Sequence, residues 1–178
     1  PQFYVFETFL HFYKKNKSKK FYDSVKILLD NVCARGLYDH LLGGIARYST
    51  DERWIAPHFE KMLYDNILFV SLLGQFYLIE PNEYYKEKLI QTVNFINKYF
   101  KNKENLLGSA YDADSEGVEG KYYVWLDKEL RNVLKNDYDF FAKYYDISEN
   151  GNWEGKNILI EKSIYPSIEE NEKLNKIK

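Results

Sequence analysis

The sequence contains a single cysteine, Cys33, among its 178 residues. One cysteine excludes an internal disulfide, a CxxC redox motif and any metal site built from several cysteines. Cys33 falls on the apolar side of a predicted helix with Val25, Leu28 and Val32, so we expect a buried thiol. A lone thiol also fits a reducing, cytoplasmic setting.

Long apolar runs and an excess of charge are also missing. No stretch reaches the roughly 20 apolar residues that a membrane-spanning helix needs, and no signal-peptide pattern opens the sequence. The net charge of -2 and the pI near 6.0 give no support to a nucleic-acid partner. The one basic run, residues 14–20, lies between two helical patterns, and we interpret it as a solvated loop.

Aromatic side chains are abundant instead. They make up 18% of the sequence, with 17 Tyr and 12 Phe. The length and the 45% hydrophobic content suffice for one domain with a sizeable core. The sequence begins at Pro1 without an initiator Met and ends inside a charged helical pattern, so we expect a piece of a longer protein.

Apolar periodicity predicts helices over residues 3–15, 20–35, 59–78 and 83–100, which form two helical hairpins. Gly36 is typical of a residue that ends a helix. The buried stripe of the fourth helix is predicted to be Tyr85, Leu89, Val93, Ile96 and Phe100. Shorter helices are predicted over residues 127–134 and 140–145, and another at the end of the sequence.

Two long polar loops separate these helices. Residues 37–56 include Gly43, Gly44 and a short β-like run over 45–49, and residues 105–125 have ends that alternate like a small hairpin. Loops this long inside a compact domain are uncommon and are usually functional.

The stretch DERWIAPHFEKMLYDN, residues 51–66, has an unusual density of acids, bases and amides. Pro57 predicts the first turn of the third helix, because proline costs least there. A helix from Pro57 would place residues 58, 61 and 65 on one stripe and residues 57, 60 and 64 on the next. Buried charges need partners, so this region is either an ion-pair network or the wall of an active site.

The acidic loop YDADSEGVEG, residues 111–120, has the alternating carboxylates of a possible calcium-binding loop. Counted from Asp112, Gly117 falls at the sixth place that an EF-hand loop requires, but Tyr123 occupies the twelfth, where a bidentate Glu is needed. We therefore predict no metal and no cofactor. Gly43-Gly44 fits neither a GxGxxG nor a Walker pattern, so nucleotide binding is unsupported.

Three segments resemble one family. They are GLYDHLLGGIARYSTDERWIAPHFEKMLYDN (36–66), SAYDADSEGVEGKYYVW (109–125) and GNWEGKNIL (151–159). They resemble the thioredoxin-domain-containing proteins typified by spermatogenesis-associated protein 20, and the resemblance covers nearly the whole sequence. This sequence departs from the family at Leu42 and Ala46, where glycine and a bulkier residue are usual.

The resemblance implies an all-α fold with small β-hairpin loops. Residues 1–178 would form the early hairpins of a six-hairpin, glycosidase-like α/α toroid, without the later hairpins and the thioredoxin-like domain. In such toroids the loops before the inner helices roof a cleft. The implied catalytic residues are His58, Glu60, Asp112 and Asp114. The implied substrate-binding residues are Asp39, His40, Arg47, Asp51, Trp54, Lys61, Tyr64, Asp65, Asn66, Glu116, Tyr123, Trp125 and Trp153.

The expected function is binding or processing of a carbohydrate-like small molecule by acid–base chemistry. Epimerisation and glycoside hydrolysis both stay open, with His58 as the base and Glu60, Asp112 or Asp114 as the acid. The alternative is a non-catalytic toroid that acts as a platform for the thioredoxin-like domain. A plain helical-hairpin interaction module fits less well, because the polar residues concentrate in loops.

Overall fold

Helices are the main secondary structure of the computed structural model, which describes residues 2–178. The helices are α1 (Phe3–Asn16), α2 (Lys19–Ala34), α3 (Leu63–Tyr77), α4 (Glu83–Phe95), α5 (Asp127–Leu134), α6 (Tyr138–Tyr144) and α7 (Ile168–Ile177). A π-helical turn over Ile96–Phe100 extends α4. None of the helices in residues 2–178 is both long and apolar enough to cross a bilayer.

Short antiparallel strand pairs fasten the loops. The strands are β1 (Tyr48–Ser49), β2 (Pro57–His58), β3 (Lys61–Met62), β4 (Ala110–Tyr111), β5 (Asp114–Ser115), β6 (Val118–Glu119), β7 (Val124–Trp125) and β8 (Asn157–Ile158). They pair as β1–β2, β3–β4, β5–β6 and β7–β8. The two ends of the second long loop therefore pair with β3 and β8 and not with each other. The small hairpin that the sequence predicted in this loop is β5–β6, in its middle.

The main core lies between the two helical hairpins that the periodicity predicted. Buried side chains of α1 and α2 meet the apolar face of α3, where Phe69, Leu72 and Phe76 are fully buried. Cys33 is buried in the same core, as predicted, and burial raises the pKa of its thiol well above the usual range. Because only the thiolate is a good nucleophile, this cysteine is inert.

Two smaller cores lie under the loops. One packs Phe59 against Val124 and Ile158, and the other packs Phe141 and Tyr145 of the α6 region against Leu159. Ile158 and Leu159 are consecutive residues that belong to different cores. The segment around β8 therefore joins the loop layer to the last helices.

The third helix begins later than the sequence predicted. Residues 57–62 are extended, and α3 begins at Leu63. Burial alternates along this segment: Pro57, Phe59 and Lys61 are buried, whereas the residues between them are partly exposed. That is the period of two of a strand. The predicted helical stripes through residues 57–65 are therefore wrong.

The buried face of α4 also differs from the prediction. Val93 is 37% exposed, whereas Lys88 and Thr92 are 3% and 0% exposed. The true stripe contains Tyr85, Lys88, Thr92 and Phe95. It differs because Lys88 pairs with the partly buried carboxylate of Glu161, which apolar periodicity does not anticipate.

Candidate functional site

The extended segment 57–62 separates two groups of side chains. Its alternation points Pro57, Phe59 and Lys61 into one cavity, and these three residues line it. His58 and Glu60 lie on the other face of the segment, next to Arg47. The residues of this segment that the sequence assigned to one cleft are therefore divided between two places.

The first group is the His58 cluster, which we define as Arg47, His58, Glu60, Tyr64 and Asp65. Arg47 Nη1 lies 3.0 Å from Glu60 Oε2, and His58 Nδ1 lies 4.0 Å from the same oxygen. The Arg47 side chain is 42% exposed, and those of His58 and Glu60 are 32% and 25% exposed. The cluster is thus held together by charge and is open to solvent.

Backbone pairing brings the cluster together from distant parts of the sequence. β1 pairs with β2 so that Tyr48 faces His58. The Arg47 N–H donates to the Glu60 carbonyl at 2.9 Å. Tyr64 and Asp65 then follow in the first turn of α3. The extended segment and the first turn of α3 therefore supply four of the five side chains, and backbone pairing brings Arg47 next to them.

Two buried polar atoms in this cluster have no hydrogen-bond partner among residues 2–178. They are His58 Nδ1 and Asp65 Oδ2. Buried polar atoms are almost always paired, so each orphan calls for a specific explanation such as a ligand or a catalytic role. Asp65 is 6% exposed, and burial raises the pKa of its carboxyl group, with the Arg47 charge opposing that shift.

Exposed tyrosines flank the His58 cluster. The Tyr48 ring stacks on the His58 ring with a centroid distance of 5.1 Å and an interplanar angle of 15°. Tyr48 is 45% exposed and Tyr64 is 48% exposed. Tyr64 and Glu60 raise the pKa of the neighbouring Arg47, which stays charged. An open surface with charged hydrogen-bonding groups beside aromatic rings is suited to a polar small molecule.

The second group surrounds the Lys61 cavity, a pocket of about 440 Å³ on the opposite face. Lys61 is 2% exposed, and its Nζ donates to Asp39 Oδ2 at 2.6 Å and to the Gly43 carbonyl at 3.2 Å. The rings of Phe95 and Tyr123 lie 4.2 and 5.0 Å from the ammonium. Burial lowers the pKa of Lys61, and the Asp39 charge opposes that shift.

Aromatic residues form much of the cavity wall. Tyr123 stacks on Phe59 at 5.8 Å with an interplanar angle of 7°, and Trp125 also lines the cavity. Trp153 does not line it, because its ring packs edge-on against Phe59 at 5.6 Å. Of the predicted binding residues, the cavity therefore brings together Asp39, His40, Lys61, Tyr123 and Trp125.

His40 lines the cavity but is committed to a buried polar network. Its Nε2 lies 3.1 Å from the Arg35 carbonyl, and its Nδ1 lies 3.1 Å from Glu161 Oε1 and 3.3 Å from Lys88 Nζ. Lys88 also donates to Glu161 at 2.7 Å. Burial and the Lys88 charge lower the pKa of His40, which keeps the imidazole neutral.

Sequence reasoning missed Lys88, Glu161 and Tyr84, whose hydroxyl donates to Glu161 Oε2 at 2.7 Å. A lysine three residues after Tyr85 on a buried stripe was the available signal for Lys88. Glu161 had no such signal, because it lies 121 positions from His40.

Three predicted binding residues shape the backbone instead. Asp51 accepts from the N–H groups of Arg53, Ile55 and Ala56 at 2.7, 3.0 and 2.7 Å. Asn66 bridges α3 to Ile45 through a donated and an accepted hydrogen bond. Trp54 packs against the main core.

The acidic loop projects into solvent. Asp112, Asp114 and Glu116 are all exposed. Asp112 accepts from the Asp114 N–H at 3.1 Å, and Glu116 forms an ion pair with Lys121. Within residues 2–178, no group of three or more His, Cys, Asp or Glu side chains is placed to hold a metal ion. These carboxylates belong to neither group described above.

Comparisons with known proteins show similarity to proteins named spermatogenesis-associated protein 20. The mouse protein is 33% identical over 133 residues, which cover 66% of this chain and 17% of the mouse protein. The human protein of the same name is 32% identical over the same shares. An uncharacterized protein of Caenorhabditis elegans is 30% identical over 158 residues, 78% of this chain and 21% of that protein.

These matches cover only about a fifth of the length of each relative. No family model matches the chain.

Proposed function

We propose that the chain is part of an α/α toroid that processes a carbohydrate-like small molecule at the His58 cluster. The resemblance in sequence and the succession of two helical hairpins support the toroid. One observation carries the choice of site. His58 Nδ1 and Asp65 Oδ2 are buried without partners among residues 2–178, beside a solvent-open Arg47–Glu60 pair.

The cluster is suited to proton transfer. His58 acts as the general base, because its Nδ1 has no hydrogen-bond partner among residues 2–178 and its ring is partly exposed. Asp65 acts as the acid, since burial raises its carboxyl pKa and favours the protonated form. The Arg47 guanidinium forms an ion pair with Glu60. The Glu60 carboxylate lies 4.0 Å from His58 Nδ1 and places a negative charge beside the ring.

This arrangement favours epimerisation over glycoside hydrolysis. Most glycosidases use two carboxyl groups on either side of the scissile bond. In the His58 cluster the proposed base is the partly exposed imidazole of His58, and the Glu60 carboxylate is already bound by Arg47. A base that removes a proton from carbon and an acid that returns one to the opposite face suffice for epimerisation.

The exposed rings of Tyr48 and Tyr64 support a sugar as the substrate. A pyranose presents an apolar face to an aromatic ring and hydroxyl groups to charged side chains. Both kinds of partner lie in the His58 cluster and next to it.

The test is a ¹⁵N-HSQC titration of the chain with glucose, mannose, galactose and their 2-amino derivatives. We expect saturable shifts of resonances from the His58 cluster with at least one sugar. His58→Gln should abolish these shifts, whereas His11→Gln, at an exposed histidine on α1, should preserve them. Equal loss in both variants, or no saturable shift with any sugar, contradicts the proposal.

The alternative function is a platform for a thioredoxin-like domain. It is favoured by Ile67 on α3, which is 46% exposed next to Tyr64 at 48%. Mixing the chain with the thioredoxin-like domain of a relative, followed by size-exclusion chromatography, distinguishes the two. A complex that Ile67→Lys abolishes and His58→Gln preserves supports the platform.

A further inference from the structure

The Lys61 cavity is separate from the His58 cluster and is large enough for a small molecule. Its volume of about 440 Å³ lies within the usual range for small-molecule pockets. Segment 57–62 divides the two, because alternate side chains enter the cavity and the cluster. One small ligand therefore cannot occupy both.

The cavity contains hydrogen-bond donors that the chain leaves unused. Lys61 has three N–H groups, and Asp39 and the Gly43 carbonyl accept two of them. Tyr123 and Trp125 also line the cavity, and within residues 2–178 neither the Tyr123 hydroxyl nor the Trp125 indole N–H makes a hydrogen bond. A ligand that fits must therefore supply acceptors.

The charge of the ligand next to Lys61 follows from the ion pair in the wall. Of the other charged lining residues, Lys121 pairs with Glu116, Glu129 accepts from the Leu126 N–H, and burial lowers the pKa of Lys178 to about 8. Asp39 Oδ1 accepts from the N–H groups of Leu41 and Leu42, both at 3.0 Å, and Oδ2 accepts from Lys61. The Lys61 charge is thus already neutralised at 2.6 Å. A ligand carboxylate at Lys61 would meet the Asp39 charge, and a ligand cation would meet Lys61 itself.

The shape of the ligand follows from the aromatic wall. Phe59 and Tyr123 stack on each other at 5.8 Å with an interplanar angle of 7°, and Trp125 adds a further ring to the lining. Aromatic partners prefer offset-stacked or edge-on rings. A flat ring fits this wall better than a hydroxyl-covered one, because most of the lining side chains are apolar.

We propose that the Lys61 cavity binds an uncharged, flat aromatic compound with a carbonyl-type acceptor, which accepts hydrogen bonds from Lys61 and Tyr123. This site does not depend on the function proposed for the His58 cluster.

Benzamide is the probe, with benzoate and benzylamine as charged analogues of similar size. The indole N–H signals of Trp125 and Trp54 in ¹⁵N-HSQC spectra report binding. Trp54 is the internal control because it packs against the main core and does not line the cavity. We expect benzamide to shift Trp125 saturably and to leave Trp54 in place. The charged analogues should bind at least about tenfold more weakly, a difference of about 1.4 kcal/mol.

Two variants locate the binding. Ala46→Leu adds a side chain inside the cavity and should abolish the Trp125 shift. Tyr123→Phe keeps the ring and should weaken binding by about threefold to tenfold, the value of one hydrogen bond. Tyr165→Phe, at a tyrosine that is 81% exposed, is the matched control and should change nothing. If Ala46→Leu fails to fold, the change in benzamide affinity of Tyr123→Phe tests the proposal by itself.

The proposal is overturned if Trp125 and Trp54 shift equally, if benzoate binds as well as benzamide, or if Tyr123→Phe binds like the parent chain. His58→Gln should leave benzamide binding unchanged. Failure at this cavity therefore has no bearing on the sugar titration.

Discussion

At the scale of single residues, His40 and Glu161 make stability depend on pH in two steps. Burial lowers the pKa of His40 below its ordinary value of about 6.5, so protons favour the unfolded state below that pH. Burial alone would raise the pKa of Glu161, but Lys88 and His40 lower it well below its ordinary value. The stability from Glu161 is therefore complete above about pH 4.5 and is lost as the pH falls further.

We expect the free energy of unfolding, measured in urea, to fall between pH 7.5 and pH 5 and more steeply below pH 4.5. His40→Gln should remove much of the first decrease, because glutamine does not titrate. His11→Gln is the control at an exposed histidine. The same decrease in the parent chain and in His40→Gln would show that His40 is not held neutral.

The residue scale is also where sequence reasoning reached least far. It identified His40, Lys61 and Asp39 as candidates, but it could not pair His40 with Glu161 across 121 positions. Such a contact depends on how distant segments pack in the fold, and local sequence patterns carry no information about that. The exposed Asp112 and Asp114 show the converse, because a dense acidic motif alone does not place side chains near a cleft.

At the scale of elements, segment 57–62 shows why the helix start was misjudged. Pro57 suits both a first helical turn and the start of a strand, so it does not decide between them. The alternation of burial over six residues distinguishes a strand from a helix, but the sequence does not reveal it. Glu60 and Lys61 are both charged, and only Lys61 is buried. The long helices were predictable because their apolar residues repeat over three or more turns.

Replacement by alanine is expected to have opposite effects at Gly36, in the turn after α2, and at Gly74, in α3. A Cβ on Gly36 would lie 1.9 Å from the Ile55 carbonyl oxygen, which is backbone and cannot move aside, whereas a Cβ on Gly74 in α3 meets nothing within 4 Å. Gly36→Ala should therefore destabilise the fold by about 2 kcal/mol or more. Gly74→Ala should stabilise it by up to about 1 kcal/mol.

Urea unfolding of both variants checks this pair. Destabilisation by Gly74→Ala, or a neutral Gly36→Ala, would show that the close approach of residue 36 to residue 55 is not as described.

At the scale of the whole molecule, several large apolar side chains remain exposed. Leu78 is 79% exposed, Ile90 is 50% exposed and Ile67 is 46% exposed. Where such side chains form a contiguous patch, that surface usually marks an interface. We expect the chain alone to self-associate at high concentration, as measured by sedimentation velocity, with less association for Ile67→Lys. A monodisperse monomer with a cooperative, high-temperature melt would contradict this expectation.

The His58 cluster is the central claim, and Asp65→Asn tests it most directly. Burial raises the pKa of the Asp65 carboxyl group, so keeping this group in the folded state costs stability at pH 7, and asparagine removes that cost. If the cluster serves function, the free energy of unfolding of Asp65→Asn should equal or exceed that of the parent chain, and sugar binding should be lost. If Asp65 instead belongs to a structural ion-pair network, the variant should lose about 3–5 kcal/mol, and that result would contradict the account.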